Sequence, residues 1–386
     1  MPLTRAYTII SYIERVEVVM KKAYIVAMSS MDVIGSCAAE STSNFNAGLG
    51  PHAIDGMFHM DSMQLVKPDI VPTAFWSHWE RINQIGAIVV DKLLDGITLP
   101  EDTAVVFSTQ TDGLGNLVAM QEGQKIPPRR LLSNGRDFLV GYISKLYGLK
   151  GPATSLAAAC ATGLYNLDYG MRLLDDREFV IVGTSDSGTN FLSMDYFRRL
   201  GAIGTDSKPF DKSRDGFIMG EGGAAILICR EETLEKHNLT PIAVIHDVQL
   251  TNDGDTGSLT NPGDGGLRAM KQLNANRDDL AFVKAHGTST PIGDPNEVDQ
   301  IVELYGDVPI VSFKSLLGHT IGTSGLLEMI HAIMHINKGK VPANQKLTDS
   351  INPNCITESQ ETDKKVFVNN AFGFGGKCAS ALVEVL

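Results

Sequence analysis

Residues 151–174, GPATSLAAACATGLYNLDYGMRLL, and residues 308–336, VPIVSFKSLLGHTIGTSGLLEMIHAIMHI, follow one plan: a strand-like run, a turn of small residues, then a long apolar helix. Around the first, β-branched runs such as AYIVAM (23–28), TAVVFST (103–109), EFVIVGT (178–184) and AAILICR (224–230) alternate with helical patterns. In ERINQIGAIVVDKLLDG (80–96) the apolar residues recur at three and four. Around the second lie PIAVIHDVQL (241–250), LAFVKAHG (280–287), VPIVSFKS (308–315) and ASALVEVL (379–386), broken by GGLRAMKQL and TSGLLEMIHAIMHI. The fold class is α/β, and the two sets read as half-domains, 20–240 and 241–386. The echo agrees with duplication, although any α/β chain contains such units.

With 386 residues, 43% of them apolar and 20% charged, the chain buries one large core or two fused ones. Its net charge of −12 argues against nucleic acid as a partner, because phosphate neutralisation needs excess Lys and Arg. Five cysteines, Cys37, Cys160, Cys229, Cys355 and Cys378, form no C-x-x-C pair and point to reduced thiols in a cytoplasm. Glu14, Arg15 and Glu17 interrupt the first apolar stretch, so no membrane anchor or export signal is expected. Met20 reads as a natural start, which makes 1–19 an extension.

Cys160 stands where a strand pattern gives way to a helix, and Gly163 is expected to let that helix begin close to the turn. A helix N-terminus favours thiolate over thiol, and its free amides can receive an oxyanion, a combination suited to acyl transfer. The competing reading is an inert buried cysteine, a common fate of free thiols. His286 and His319 each follow a strand-like run and precede a glycine-rich turn, which brings them to the same end of a sheet as Cys160. Two neutral imidazoles there can donate N–H bonds to a thioester oxygen as it becomes an enolate.

Lys314 is a cation that keeps a nearby imidazole neutral, or else a snorkelling surface lysine. Glu328 is its buried partner, or else part of a solvated helix face. His331 and His335, at i, i+4, lack a third ligand and read as helix packing or surface, so no metal is expected. Near the end, FGFGG frees the backbone around two phenylalanines and reads as a gate or as a tight hairpin entrance. A phosphate-binding P-loop pattern is absent.

Taken in order, AAACATG, KPFDKSRDGFIMGEGGA, KAHGTSTPIGD, FKSLLGHTIGTSG and FGFGG resemble the β-ketoacyl-acyl-carrier-protein synthases of the thiolase superfamily, near the elongating type II branch. The resemblance covers essentially residues 20–386 and implies a five-layered α-β-α-β-α fold of two duplicated halves. It implies decarboxylative condensation of malonyl-carrier protein with an acyl chain on Cys160, His286 and His319 stabilising the enolate, and no cofactor beyond the carrier's phosphopantetheine. The amides of Cys160 and Phe374 match the oxyanion hole, and Phe372 and Gly375 belong to the same gate. Thr288 and Thr290 match positions holding the pantetheine arm, and Phe217 and Phe374 match the mouth of the acyl pocket. Lys314 and Glu328 match the buried pair behind the histidines, with Asp294 in the same supporting set. Lys125, Arg129, Arg130, Arg198 and Arg199 lie near positions associated with carrier docking. The implied assembly is a homodimer, or a heterodimer with a related ketosynthase or chain-length-factor-like subunit.

Two departures stand out. Lys377-Cys378 replaces the Thr-Asn that usually follows GFGG. Thr111 matches the pocket gatekeeper, and its neighbours Gln110 and Asp112 make the floor read as polar, which favours a polyketide or polyene pathway over ordinary fatty-acid elongation. A chain-length-factor-like subunit is disfavoured by Cys160 itself. A thioester hydrolase is disfavoured by two histidines without an Asp or Asn orienter.

Overall fold

The computed structural model describes residues 21–47, 65–111, 114–188, 191–254 and 263–386, so the extension 1–19 and Asp112 lie outside the described residues. Ten strands form one sheet: β1 (Ala23–Asp32), β2 (Ala104–Thr109), β3 (Ala153–Thr154), β4 (Phe179–Ser187), β5 (Glu221–Cys229), β6 (Ala243–Asn252), β7 (Leu280–Lys284), β8 (Ile310–Val311), β9 (Val366–Gly373) and β10 (Lys377–Val385). Their spatial order is β3-β2-β4-β5-β1-β6-β10-β9-β7-β8. Read outward from the centre, each side repeats the same arrangement: a first strand, two antiparallel neighbours, then parallel strands to the edge. The halves join by antiparallel pairing of Ala23–Ile25 with Ala243–Ile245. This is the duplication that the echo anticipated, with the first five strands before residue 240 and the last five after it.

Seven helices matter for the site: α1 (Arg81–Leu93), α2 (Phe138–Leu146), α3 (Thr162–Leu173), α4 (Phe191–Arg199), α5 (Gly265–Gln272), α6 (Gly293–Tyr305) and α7 (Ser324–Asn337). Helices α1 and α2 pack on the first half-sheet, and α5 packs on the second and against α6. Helices α3 and α7 touch strands of both halves and each other, which makes them the middle of five layers. The sequence dictates this burial. Strands β2 and β4 are near-continuous apolar runs, the pattern of strands covered on both faces, and α7 is apolar almost all round.

The two middle helices begin alike. A one-turn 3₁₀ segment precedes each, Ala159–Ala161 and Ile321–Thr323, and Ala159 and Ile321 both sit at φ 48°, a left-handed backbone that non-glycine residues seldom adopt. Gly163 has a different use from the one expected. A Cβ there would lie 2.9 Å from the amide nitrogen of Leu326, so glycine is what lets α7 cross the start of α3 at close range.

Candidate active site

The two elbows bring their residues to one place. Cys160 lies on the elbow before α3, and His319 lies just ahead of the matching elbow before α7. The His319 Nε2 is 3.1 Å from the Cys160 Sγ. Its Nδ1 is 2.9 Å from the Ser324 hydroxyl, which in turn contacts Thr320 Oγ1 at 3.1 Å. Because a hydroxyl both donates and accepts, this chain supports either tautomer of His319. His286, beyond the end of β7, sets its ring edge-on to His319 with centroids 5.3 Å apart. Among the described residues its buried Nδ1 has no hydrogen-bond partner.

The three groups line a cavity of about 250 Å³ together with Thr288, Thr290, Phe372 and Phe374. Phe217 stands edge-on to His319 at 5.0 Å and to Phe197 at 5.3 Å, so the wall beside the thiol is aromatic. Thr288 and Thr290 contact each other through their hydroxyls at 3.1 Å and face the same cavity. The glycine-rich segment is a hairpin: Gly373 pairs with Lys377 across Phe374-Gly375-Gly376, and both glycines of the turn have positive φ. A Cβ on Gly373 would lie 3.1 Å from the Cys160 amide nitrogen and 2.9 Å from the Ala158 carbonyl oxygen, so this strand end packs directly on the turn that carries Cys160.

Burial decides the protonation states. It pushes the Cys160 thiol up to about 12, against the opposing pull of the Lys314 charge and the hydrogen bonds of the Phe374 and Cys160 amides. The thiolate expected from the helix start is therefore not the resting form, because desolvation outweighs the helix terminus. Burial first, and then the Lys314 charge, hold both His286 and His319 well below the usual imidazole value, so both are neutral near pH 7.

Behind the histidines, Lys314 Nζ donates to Glu328 Oε1 and to the His286 carbonyl oxygen, both at 2.6 Å, so the buried pair is formed and the surface reading of Lys314 is not. Asp294 opens α6, accepts the Phe210 amide at 2.8 Å and is raised to about 7 by burial; it braces the loop carrying Thr288 and Thr290. Sequence reasoning missed Glu297, whose carboxylate accepts the amides of His286 and Gly287 at 2.7 and 2.8 Å, and Lys284, which shares Glu328 with Lys314. The available signal for Lys284 was a lysine ending an apolar strand two residues before His286.

Thr111 and Gln110 are not among the residues that line this chain's cavity, in keeping with a gatekeeper expected to reach a partner copy's pocket across an interface. The Asp186 carboxylate gathers the amides of both and the Thr111 hydroxyl, which leaves the Thr111 methyl beside Gly188, where Met219 and Ile321 also stand. Met219, Ile321 and Cys160 belong to one apolar cluster, so the Thr111 methyl meets an apolar surface. His331 and His335 are wholly buried, paired with Asp32 and Asn46 at 3.0 Å each, which removes the surface reading. Cys378 is buried on the cavity wall, its thiol pushed up to about 12 by burial. Lys125 and Arg129 are exposed; Arg130 is partly buried. Arg198 and Arg199 end α4, where Arg199 pairs with Asp195 at 2.6 Å, immediately before the Leu200–Ala202 stretch of the cavity wall.

Among the described residues, no cluster of three or more His, Cys, Asp or Glu side chains is placed to hold a metal ion, and no helix is long and apolar enough to cross a membrane. Two domain families match the chain: beta-ketoacyl synthase, N-terminal domain, over residues 87–233, and beta-ketoacyl synthase, C-terminal domain, over residues 242–348. The 3-oxoacyl-(acyl-carrier-protein) synthase 2 of Coxiella burnetii is 32% identical over 263 residues, which span 61% of this chain and 62% of that protein. The protein of the same name from Vibrio harveyi is 28% identical over 324 residues, 75% of this chain and 78% of its own. A solved structure, the ishigamide ketosynthase/chain length factor, superposes with a TM-score of 0.84 at 23% identity, over 95% of this chain and 100% of that one, a likeness of fold. With both halves of one family matched in order over a fold whose two halves repeat one strand arrangement, this chain belongs to the β-ketoacyl synthase family.

Proposed function

We propose that this chain catalyses decarboxylative condensation of a malonyl thioester with an acyl chain held on Cys160, both delivered on the phosphopantetheine of an acyl carrier protein. The observation that carries the reading is one thiol 3.1 Å from a neutral imidazole, with a second neutral imidazole beside it in a largely apolar cavity. In the first half-reaction the Cys160 sulfur attacks the acyl thioester while His319 Nε2 takes its proton and passes it to the departing pantetheine sulfur. Thr288 and Thr290 offer hydroxyls to the pantetheine arm. A malonyl thioester then replaces the spent carrier. As its C–C bond breaks and CO₂ leaves, the electron pair moves onto the thioester oxygen, where His286 and His319 donate N–H bonds to it, His319 now in its Nε2–H tautomer with Nδ1 accepting from the Ser324 hydroxyl. The enolate carbon attacks the Cys160 thioester. The amides of Cys160 and Phe374, both already directed at the sulfur, receive the oxyanion, and collapse returns the sulfur, which regains one proton from solvent.

His286→Ala is expected to keep self-acylation, read as the added mass on intact protein, and to lose malonyl decarboxylation by roughly 10²- to 10³-fold. His319→Ala is expected to lose decarboxylation and also to acylate more slowly, since His319 alone of the two touches the thiol. A His286→Ala protein that decarboxylates normally but cannot acylate would reverse the assignment.

The apolar setting of the Thr111 methyl supports an alkyl acyl chain, as in ordinary fatty-acid elongation, over a polyketide or polyene pathway. Lys125, Arg129, Arg130, Arg198 and Arg199 are proposed to attract the acidic carrier despite the net charge of −12. Lys125→Glu with Arg129→Glu should raise KM for carrier-bound substrate by roughly 3- to 10-fold and spare a small thioester mimic. Equal losses with both substrates would remove the docking assignment. Leu117, Met120, Leu132 and Tyr196 are exposed, which supports a second subunit against this side of the chain.

A further inference from the structure

Glu328 faces two lysines. Lys284 Nζ donates to Glu328 Oε2 at 2.9 Å and to the Asn370 carbonyl oxygen at 2.5 Å, while Lys314 Nζ holds Glu328 Oε1 at 2.6 Å. None of these three side chains is more than 1% exposed. Both ammoniums share this one carboxylate; Glu297, the other buried carboxylate acting on Lys284, is hydrogen-bonded to the amides of His286 and Gly287 instead. The groups acting on Lys284 come from every side: Glu328 on α7, Lys314 ahead of His319, Glu297 on α6 and the Asn370 carbonyl on β9. Lys284 precedes His286 by two residues, and its charge acts on both His286 and His319. A lone Lys–Glu pair would suffice to satisfy Glu328, and an unneeded buried charge is costly to keep.

We propose that Lys284 is a positioning residue of the condensation: held by Glu328 and the Asn370 carbonyl, its ammonium places a second positive charge behind His286 and His319 that favours the negative oxygen created as the malonyl thioester loses CO₂. The inference rests on the ketosynthase reading above. Lys284 does not line the cavity, so it acts through the two imidazoles and not on the substrate directly.

The charge is one that pH can remove. Burial, opposed by Glu328 and aided by Lys314, lowers Lys284 to about 8. Below that pH the ammonium is present; as pH rises through it, the proton and its help to the enolate are lost together. Lys284→Gln carries no charge at any pH. The rate ratio of unaltered protein to Lys284→Gln should therefore be on the order of tenfold near pH 6.5 and shrink towards one above pH 9.5, roughly the effect of one charge at close quarters in a protein interior. Groups that titrate in both proteins cancel in this ratio.

The test is CO₂ release from a malonyl-pantetheine thioester by the full chain between about pH 6.5 and pH 9.5, with Lys284→Gln and Lys284→Met measured beside it. Both variants should keep most of their heat resistance at pH 7, because Glu328 stays paired with Lys314 and a charge that burial disfavours has gone. A ratio that is constant across the range, or already one at pH 6.5, overturns the proposal. If neither variant folds, the unaltered protein decides alone: a rate that does not fall across pH 8 overturns it equally. No CO₂ release by the unaltered protein at any pH would instead overturn the ketosynthase reading itself.

Discussion

Cys160→Ala is expected to lose condensation by on the order of 10⁴-fold or more, with the fold intact. The substitution removes only a sulfur from a turn already built of Ala158, Ala159 and Ala161, so its stability cost should be about 1 kcal/mol. The catalytic loss is far larger because the acyl group then has no covalent station, and a sequence of two linked steps cannot be replaced by geometry alone. The variant should add no mass on incubation with acyl-carrier protein, yet still release CO₂ from a malonyl thioester, because His286 and His319 are untouched. Product formation at a tenth of the normal rate would transfer the nucleophile's role to another residue; Cys378, the other thiol on the cavity wall, would be the first to examine.

Glu328→Ala is expected to be the most damaging single change to stability. It leaves the ammoniums of Lys284 and Lys314 buried and, among the described residues, hydrogen-bonded only to the carbonyl oxygens of Asn370 and His286. Breaking a buried ion pair from one side costs about 3–5 kcal/mol, a large share of an ordinary folding free energy. The pH dependence has a definite sign. Lys284 in the folded protein lies at about 8 against 10.5 when free, so between these values the unfolded chain binds more protons and stability rises with pH. Without Glu328 the folded value falls further, which widens the window and begins the rise at lower pH. Urea midpoints for Glu328→Ala should accordingly be well below those of the unaltered protein at pH 7 and recover more steeply towards pH 9.5. Adding Lys284→Met should restore part of the loss at pH 7, since it removes one of the two stranded charges. An unchanged midpoint at pH 7 would show that the three side chains do not hold one another as their distances indicate.

What the sequence determined is what local pattern encodes. The period of apolar residues places β2, β4, α1 and α7, because burial on one face or all round leaves a periodic record. The echo of 151–174 in 308–336 reports two elbows, since each needs small residues where a strand turns sharply into a helix. The same local chemistry singles out Cys160, in a turn of alanines, and His286 and His319, each beside a glycine, as candidates at strand or helix ends. The tertiary structure alone decided the rest. Lys284 and Glu328 are 44 residues apart and meet only because β7 and α7 pack together, so the shared carboxylate has no local signature. The Thr111 hydroxyl looked free to face a substrate until Asp186, 75 residues on, captured it. The protonation state of Cys160 was likewise beyond a local reading. A helix start argues for thiolate, but desolvation outweighs it, and that depends on every layer folded over the sulfur.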